Sequence, residues 1–261
     1  MNQDVLRNEL NDVFVMLDAE EHSGIQEYLA ELLLGEQTIT KTPYEIAGEL
    51  CSFASKNPVP TIVADLIIEL YEAEIADGNA DAMNDLGALY YDGRIGEQDY
   101  GKAMHYYEMA ANHGHCLAQE NLGYCYYYGR DVAVDYEKAY HYFALGALSG
   151  MPVSLYKIGD MYQKGCYVAQ NEITAFRIYE HCLDIMNDET AEIAAGPVYL
   201  RLGNVFLDGK GTEENPKAAL ICFQKAELYL RDMVERGDWM YKGSLTAAIA
   251  GQEKAREKMP L

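Results

Sequence analysis

One spacing constrains this chain more than any other feature: glycines, aliphatic residues and aromatics recur every 36 residues. Gly78, Gly114 and Gly150 form one series, and Leu86-Gly87, Leu122-Gly123 and Ile158-Gly159 a second. Tyr90, Tyr126 and Tyr162 follow, then Gly93, Gly129 and Gly165. Asp99, Asp135 and Asn171 come next, then Ala103, Ala139 and Ala175, and finally Tyr107, Phe143 and Tyr179. A step of 44 instead of 36 carries the pattern into a fourth copy: Leu202, Gly203, Phe206, Gly209, Asn215, Ala219 and Phe223. Eight residues are therefore inserted before it, within 184–196. A fixed period of this length belongs to stacked supersecondary units, each too small to bury its own apolar faces.

Each series has a physical reason. Ala82, Leu86, Gly87 and Tyr90 share one face of a first helix. Gly87 costs that helix about 1 kcal/mol against alanine, which is tolerable where a neighbour must approach closely. Gly93 ends the helix in left-handed geometry. Asp99 suits the N-cap of a second helix, as do Asp135, Asn171 and Asn215. Ala103, Tyr106, Tyr107 and Ala110 bury the second helix, and Gly114 closes the unit. Upstream, Leu50, Tyr71 and Gly78 mark a degenerate copy, with Pro43 and Pro60 at helix starts. Asp4–Leu17 and Ile25–Leu34 read as two further helices, and Trp239–Met259 as a final one. The expected organisation is an N-terminal helical cap over 1–41, a repeat array over 42–235, and a C-terminal capping helix over 236–261.

The chain has 261 residues and a net charge of −22, from 42 acidic and 20 basic side chains. Such a balance repels phosphates and offers no basic stripe, so no nucleic acid is expected as a partner. Anionic membrane surfaces are disfavoured for the same reason. The charge is uneven: residues 1–77 carry 16 acidic and 3 basic residues. That asymmetry fits either solvated helix faces or recognition of a cationic partner. The N-terminus lacks a basic segment followed by an apolar run, so no signal peptide is expected, and the longest apolar runs, such as Tyr28–Leu34, are interrupted by charge and too short for a membrane span. Six cysteines with no CxxC pair read as reduced thiols, with a secreted disulfide framework as the weaker alternative. A cytoplasmic setting follows.

Residues 82–114 (AMNDLGALYYDGRIGEQDYGKAMHYYEMAANHG) resemble a Sel1-like repeat, a relative of the tetratricopeptide repeat. Residues 118–150 match nearly as well, and the third and fourth copies keep the glycine and aromatic positions but lose the lysine of the Lys-Ala pair. The resemblance spans roughly 42–227. It implies an all-α, right-handed superhelical α/α solenoid with a concave groove and a scaffold or adaptor role. In a cysteine-rich branch of the family disulfides tie the helix pairs; the positions that would carry them, around Ala111 and Gln119, are not cysteine here, which weakens any transfer of that branch's penicillin-related activities.

By that resemblance the first helices line the groove, and their outward face supplies the candidate partner-binding residues: Asn84, Asp85 and Tyr91; Glu120, Asn121, Tyr124, Tyr127 and Tyr128; Tyr156 and Lys157; Arg201 and Asn204. Tyrosines offer rigid contact area with a polar tip, although some of the 22 in the chain must pack between helices. Asn121, Lys157 and Arg201 form an incomplete version of a carboxylate clamp. His113, His115 and Cys116 lie on a turn between copies without a second ligand cluster, so no metal is expected. Phosphate-binding loops, dinucleotide fingerprints and nucleophile elbows are missing from the sequence. The reading is a non-catalytic scaffold or adaptor, needing no cofactor, that binds a protein or peptide in its groove. The alternative is an inhibitory or immunity-type protein whose acidic surface neutralises a basic partner.

Overall fold

The computed structural model describes residues 3–16, 23–34, 39–57 and 61–259. Among them every regular element is helical, and the chain divides into two compact units, Met1–Ala118 and Gln119–Leu261. The first unit holds α1 (Gln3–Met16), α2 (Ser23–Leu34), α3 (Pro43–Lys56), α4 (Thr61–Ala76), α5 (Ala80–Asp92) and α6 (Tyr100–Asn112). Helix α7 (Cys116–Tyr128) carries the boundary. The second unit continues with α8 (Tyr136–Leu148), α9 (Pro152–Lys164), α10 (Glu172–Ile185), α11 (Asp188–Asp208) and α12 (Pro216–Glu235). A 3-10 turn, Trp239–Tyr241, then leads into α13 (Lys242–Lys258). Within each unit successive helices pack on one another: α3 on α4 and α5 on α6 in the first, α9 on α10 and α11 on α12 in the second.

Local chemistry sets the helix ends. Asp99, Asp135, Asn171 and Asn215 each accept a hydrogen bond from the backbone N–H three residues on, at 2.9–3.0 Å. They satisfy donors that a helix start otherwise leaves unpaired. At the opposite end, Gly93, Gly129, Gly165 and Gly209 all have φ between +67° and +72°, where a Cβ would be strained. Pro43 opens α3 behind a capping box made by Thr42 and Glu45; Pro60 lies outside the described residues.

The glycine inside each first helix is a contact point. A Cβ built on Gly87 would lie 2.8 Å from the Tyr107 ring, and at Gly123, Gly159 and Gly203 it would lie 2.6 Å from Phe143, Tyr179 and Phe223. Those four rings are buried, each on the second helix of its own copy. Phe223 is held from two sides, because a Cβ on Gly251 of α13 would also meet it at 2.6 Å. The capping helix thus reuses the device that joins each pair.

The eight inserted residues extend a helix instead of forming a loop. Helix α11 has 21 residues where α5, α7 and α9 have 13 each, and α12 has 20 where α6 and α8 have 13. Eight residues make about 2.2 helical turns, so they lengthen the helix without breaking it. Ala194 and Ala195 are buried in the added turns and Val198 just after them, and Gly196 brings α11 against Leu230 of α12. Pro197 sits inside α11 without ending it.

Replacing Gly123 by leucine is expected to destabilise the protein by about 3 kcal/mol or more, because the side chain has no space beside Phe143. Asp135→Ala should cost about 1 kcal/mol. Thermal unfolding followed by circular dichroism measures both, and the ordering Gly123→Leu well below Asp135→Ala is the expected result.

Candidate functional site

The twelve candidate residues divide between the units. Asn84, Asp85 and Tyr91 belong to the first. Asn84 is 4% exposed and donates to Asp85 Oδ1 at 3.2 Å. Tyr44 Oη donates to Asp85 Oδ2 at 2.7 Å, and burial followed by that contact raises the Tyr44 hydroxyl above the ordinary tyrosine range. Tyr91 packs edge-on to Tyr100 at 5.0 Å.

The other nine lie in the second unit, on α7, α9 and α11, where most join one connected network. Asp160 is its centre. The Arg201 guanidinium donates Nε to Oδ1 at 2.5 Å and Nη2 to Oδ2 at 2.6 Å. Tyr179 Oη donates to Oδ1 at 2.8 Å. Burial opposes charge on Asp160, but the guanidinium and these hydrogen bonds outweigh it and hold the carboxyl below the usual range. Arg201 also donates Nη1 to the Pro197 carbonyl at 2.9 Å and lies 4.3 Å from the Tyr156 ring centroid. This pairing accounts for the guanidinium that a carboxylate clamp would offer to a ligand: the carboxylate it holds is the chain's own.

Lys157 is enclosed by rings. Its Nζ is 4.1 Å from the Tyr127 centroid, 5.1 Å from both Tyr124 and Tyr128, and 5.9 Å from Phe143. Burial depresses its pKa to about 8, with the Asp160 carboxylate, 4.0 Å away, opposing that shift. The rings hold one another: Tyr124 and Tyr128, one turn apart, stack at 6.1 Å, and Tyr127 meets Phe143 at 6.4 Å. Lys164 Nζ donates to Tyr127 Oη at 3.0 Å.

Burial sorts the candidates. Glu120, Tyr127, Tyr156 and Lys157 are each less than a tenth exposed and form packed walls instead of the open contact face expected of them. The reason is positional: a helical wheel drawn for one copy leaves out the next first helix, which covers part of that face. Ser154 of α9, for example, donates to Glu120 Oε2 at 2.7 Å. Asn121, Tyr124 and Arg201 are half-buried, whereas Asn204 and Tyr128 (51% exposed) remain open. Ser154, Tyr179 and Phe143 were not among the candidates. Register comparison contains the signal for Asp160 and Arg201: Asp160 stands where other copies have Ala88, Tyr124 and Asn204, and Arg201 where they have Asp85, Asn121 and Lys157. Opposite charges at these two outlying positions meet across adjacent copies.

The histidine turn has a structural use. His115 Nδ1 accepts from the Ala118 N–H at 3.1 Å, which leaves Nε2 to donate to Asp81 Oδ1 at 3.0 Å. Among the described residues no group of three or more His, Cys, Asp or Glu side chains could hold a metal ion. No described helix is long and apolar enough to cross a membrane, and none of the six cysteines forms a disulfide.

The Sel1 repeat family model matches residues 80–115, 116–151, 152–180 and 197–227, just over half of the chain. The chain belongs to the Sel1 repeat family. Sel1 repeat proteins are in general protein–protein interaction scaffolds. Among solved structures, a Sel1 repeat protein from Oxalobacter formigenes matches with a TM-score of 0.60 at 16% identity, covering 97% of this chain and 100% of its own. The protein c5321, a protective antigen present in uropathogenic Escherichia coli strains, matches with a TM-score of 0.56 at 18% identity. That match covers 97% of this chain and 56% of c5321. At these identities the likeness is one of fold. No curated protein matches the chain.

Glu120 provides a test of the Sel1 network. Burial pushes its carboxyl up to about 7, with the Ser154 hydrogen bonds and Lys157 opposing. A carboxyl raised in the folded state contributes stability that is complete below the ordinary glutamate range and lost as pH rises through about 7. Glu120→Gln, which stays neutral and can still accept from Ser154, should therefore match the wild type near pH 4.5 and exceed it by about 3 kcal/mol above pH 8. Denaturant titrations across that range measure the difference. A difference that is constant with pH would contradict the assignment.

Proposed function

We propose that this Sel1 repeat chain is a non-catalytic protein-binding module whose recognition face is formed in the second unit by α7, α9 and α11. The observation that carries this reading is Tyr128: a half-exposed ring at the edge of an otherwise packed network of rings and charges. A rigid aromatic projecting from a preorganised wall loses little entropy on binding and is a common anchor of protein contacts. Asn121, Tyr124, Arg201 and Asn204 flank it as partial contacts, and Glu120, Tyr127, Tyr156 and Lys157 act as the supporting layer. Asp85 and Tyr91 offer the equivalent positions in the first unit, above Asn84. The partner is a protein or peptide segment.

The acidic surface supports a second reading, neutralisation of a basic partner. Asp65, Glu69 and Glu72 are exposed at i, i+4 and i+7 on α4, a one-sided carboxylate stripe. The two readings differ in salt dependence, because exposed charges are screened over about 10 Å at 0.1 M salt, whereas a tyrosine-centred contact is not.

With the full chain as bait in a lysate of its host, Tyr128→Ala together with Asn204→Asp should lower retention of the partner by tenfold or more, about 1.4 kcal/mol, with helical circular dichroism unchanged. Unchanged retention would sink the groove assignment. Retention lost instead on raising salt, or in Asp65→Asn/Glu69→Gln/Glu72→Gln, would establish the acidic reading.

A further inference from the structure

Most conspicuous residues of this chain repeat in register, so residues that break the register and still converge on one place stand out. Three do so between the second and third copies. Glu137, Tyr140 and Tyr167 correspond to Gly101, Met104 and Asp131 one copy earlier, and to Ile173, Phe176 and Gly211 one copy later. Together they form the rim of a cleft of about 530 Å³, floored by Tyr126 and bordered by Lys138 and His141. Tyr126 lies two residues from Tyr124, hence about 200° round α7, so the cleft is on a different side of that helix from the network described above.

Tyr167 is the unusual member. Its φ is +66°, a left-handed conformation that costs a bulky side chain roughly 1–2 kcal/mol. The turn position is left-handed in the neighbouring copies too, at Asp131 (φ +58°) and at Gly211 (φ +82°), so what distinguishes this copy is the bulky ring placed there. The ring recovers little by burial, since it is 55% exposed. It leans on Tyr140 at 5.5 Å and directs its hydroxyl to Glu137 Oε1 at 3.4 Å. Tyr140 is in turn fixed by a hydrogen bond to Tyr162. Lys138 is placed over the face of Tyr126, 4.8 Å from its centroid. Among the described residues no basic side chain pairs with Glu137.

We propose that this cleft is a second binding site, which takes the guanidinium group of an arginine in a basic protein segment. The planar cation stacks on the open face of Tyr167 and its edge donates to the Glu137 carboxylate, the two contacts that suit a guanidinium better than an ammonium. The net charge of −22 draws such a segment in, and the ring and carboxylate select the residue. A bulky exposed ring kept at a left-handed turn position that the next copy fills with glycine is accounted for by this use.

The test titrates the full chain, labelled with nitrogen-15, with the blocked peptide Gly-Arg-Gly-Arg-Gly and with its citrulline and lysine analogues. Saturable amide shifts centred on residues 137–142 and on 167 are expected, with citrulline binding at least about tenfold weaker and lysine weaker than arginine. Tyr167→Gly should weaken the arginine peptide about tenfold and Glu137→Gln about threefold, while Tyr128→Ala leaves it unchanged. Because glycine suits this turn, Tyr167→Gly should also keep or raise the melting temperature. Shifts spread over the acidic surface, wild-type affinity in Tyr167→Gly, or a clear fall in its melting temperature would each overturn the proposal, the last by showing that the ring serves packing.

Discussion

The contact between a helical glycine and an aromatic ring is the constraint on which the repeat depends. Gly87, Gly123, Gly159 and Gly203 each admit a ring from the following helix closer than any Cβ would allow. The helix loses about 1 kcal/mol for the glycine and the ring gains about 2–3 kcal/mol by complete burial. The exchange is favourable only when both residues are present in register. This explains why the glycine–aromatic spacing persists in all four copies while surface positions drift. It also explains how the array ends, since Gly251 of α13 closes the second side of Phe223.

A fixed frame of this kind leaves the remaining positions free to differ from copy to copy. At one such position the chain carries Asp85, Asn121, Lys157 and Arg201, and at another Ala88, Tyr124, Asp160 and Asn204. In the second unit these substitutions produce a charged group inside an aromatic enclosure and a bidentate ion pair. Neither arises from the repeat consensus. Buried ion pairs contribute little net stability but are costly to break on one side, so Asp160 and Arg201 fix the geometry of the α9–α11 surface more than they strengthen it.

The frame was legible in the sequence because its determinants are local. Side-chain caps at Asp99, Asp135, Asn171 and Asn215, left-handed glycines and the 36-residue period each depend on a few neighbouring residues. The candidate site was less legible because burial is set by the adjacent copy. Tyr127, Tyr156 and Lys157 lie on the outward face of an isolated helix pair, yet the stacked neighbour covers them. Helix α11 shows the same limit. Its added turns contain the alanine-rich stretch Thr190–Gly196, which favours helix, but Pro197 argues for a boundary. Burial of Ala194, Ala195 and Val198, with the close approach of Gly196 to Leu230 of α12, outweighs the missing hydrogen bond.

The distribution of cations over rings sharpens the division between architecture and recognition. Lys102 covers Tyr90, Lys138 covers Tyr126 and Lys225 covers Tyr199, each at 4.8 Å, and Arg201 covers Tyr156 at 4.3 Å. In the first two copies the covered ring also stacks on a second tyrosine, Tyr90 on Tyr106 and Tyr126 on Tyr142. The lysine of the repeat's Lys-Ala pair is therefore a packing residue, and a chain with only 20 basic side chains commits several of them to its own aromatics. Tyr167, about half exposed, is different, whereas Tyr128, also about half exposed, already shares its ring with Lys157 at 5.1 Å and Arg130 at 5.9 Å. A ring shared with an internal cation still offers an incoming group its exposed apolar area and hydroxyl, whereas an exposed ring held by a rigid tyrosine neighbour offers its quadrupole as well. The two sites proposed for recognition therefore differ in what their exposed tyrosines offer: apolar area at Tyr128 and a face for a cation at Tyr167.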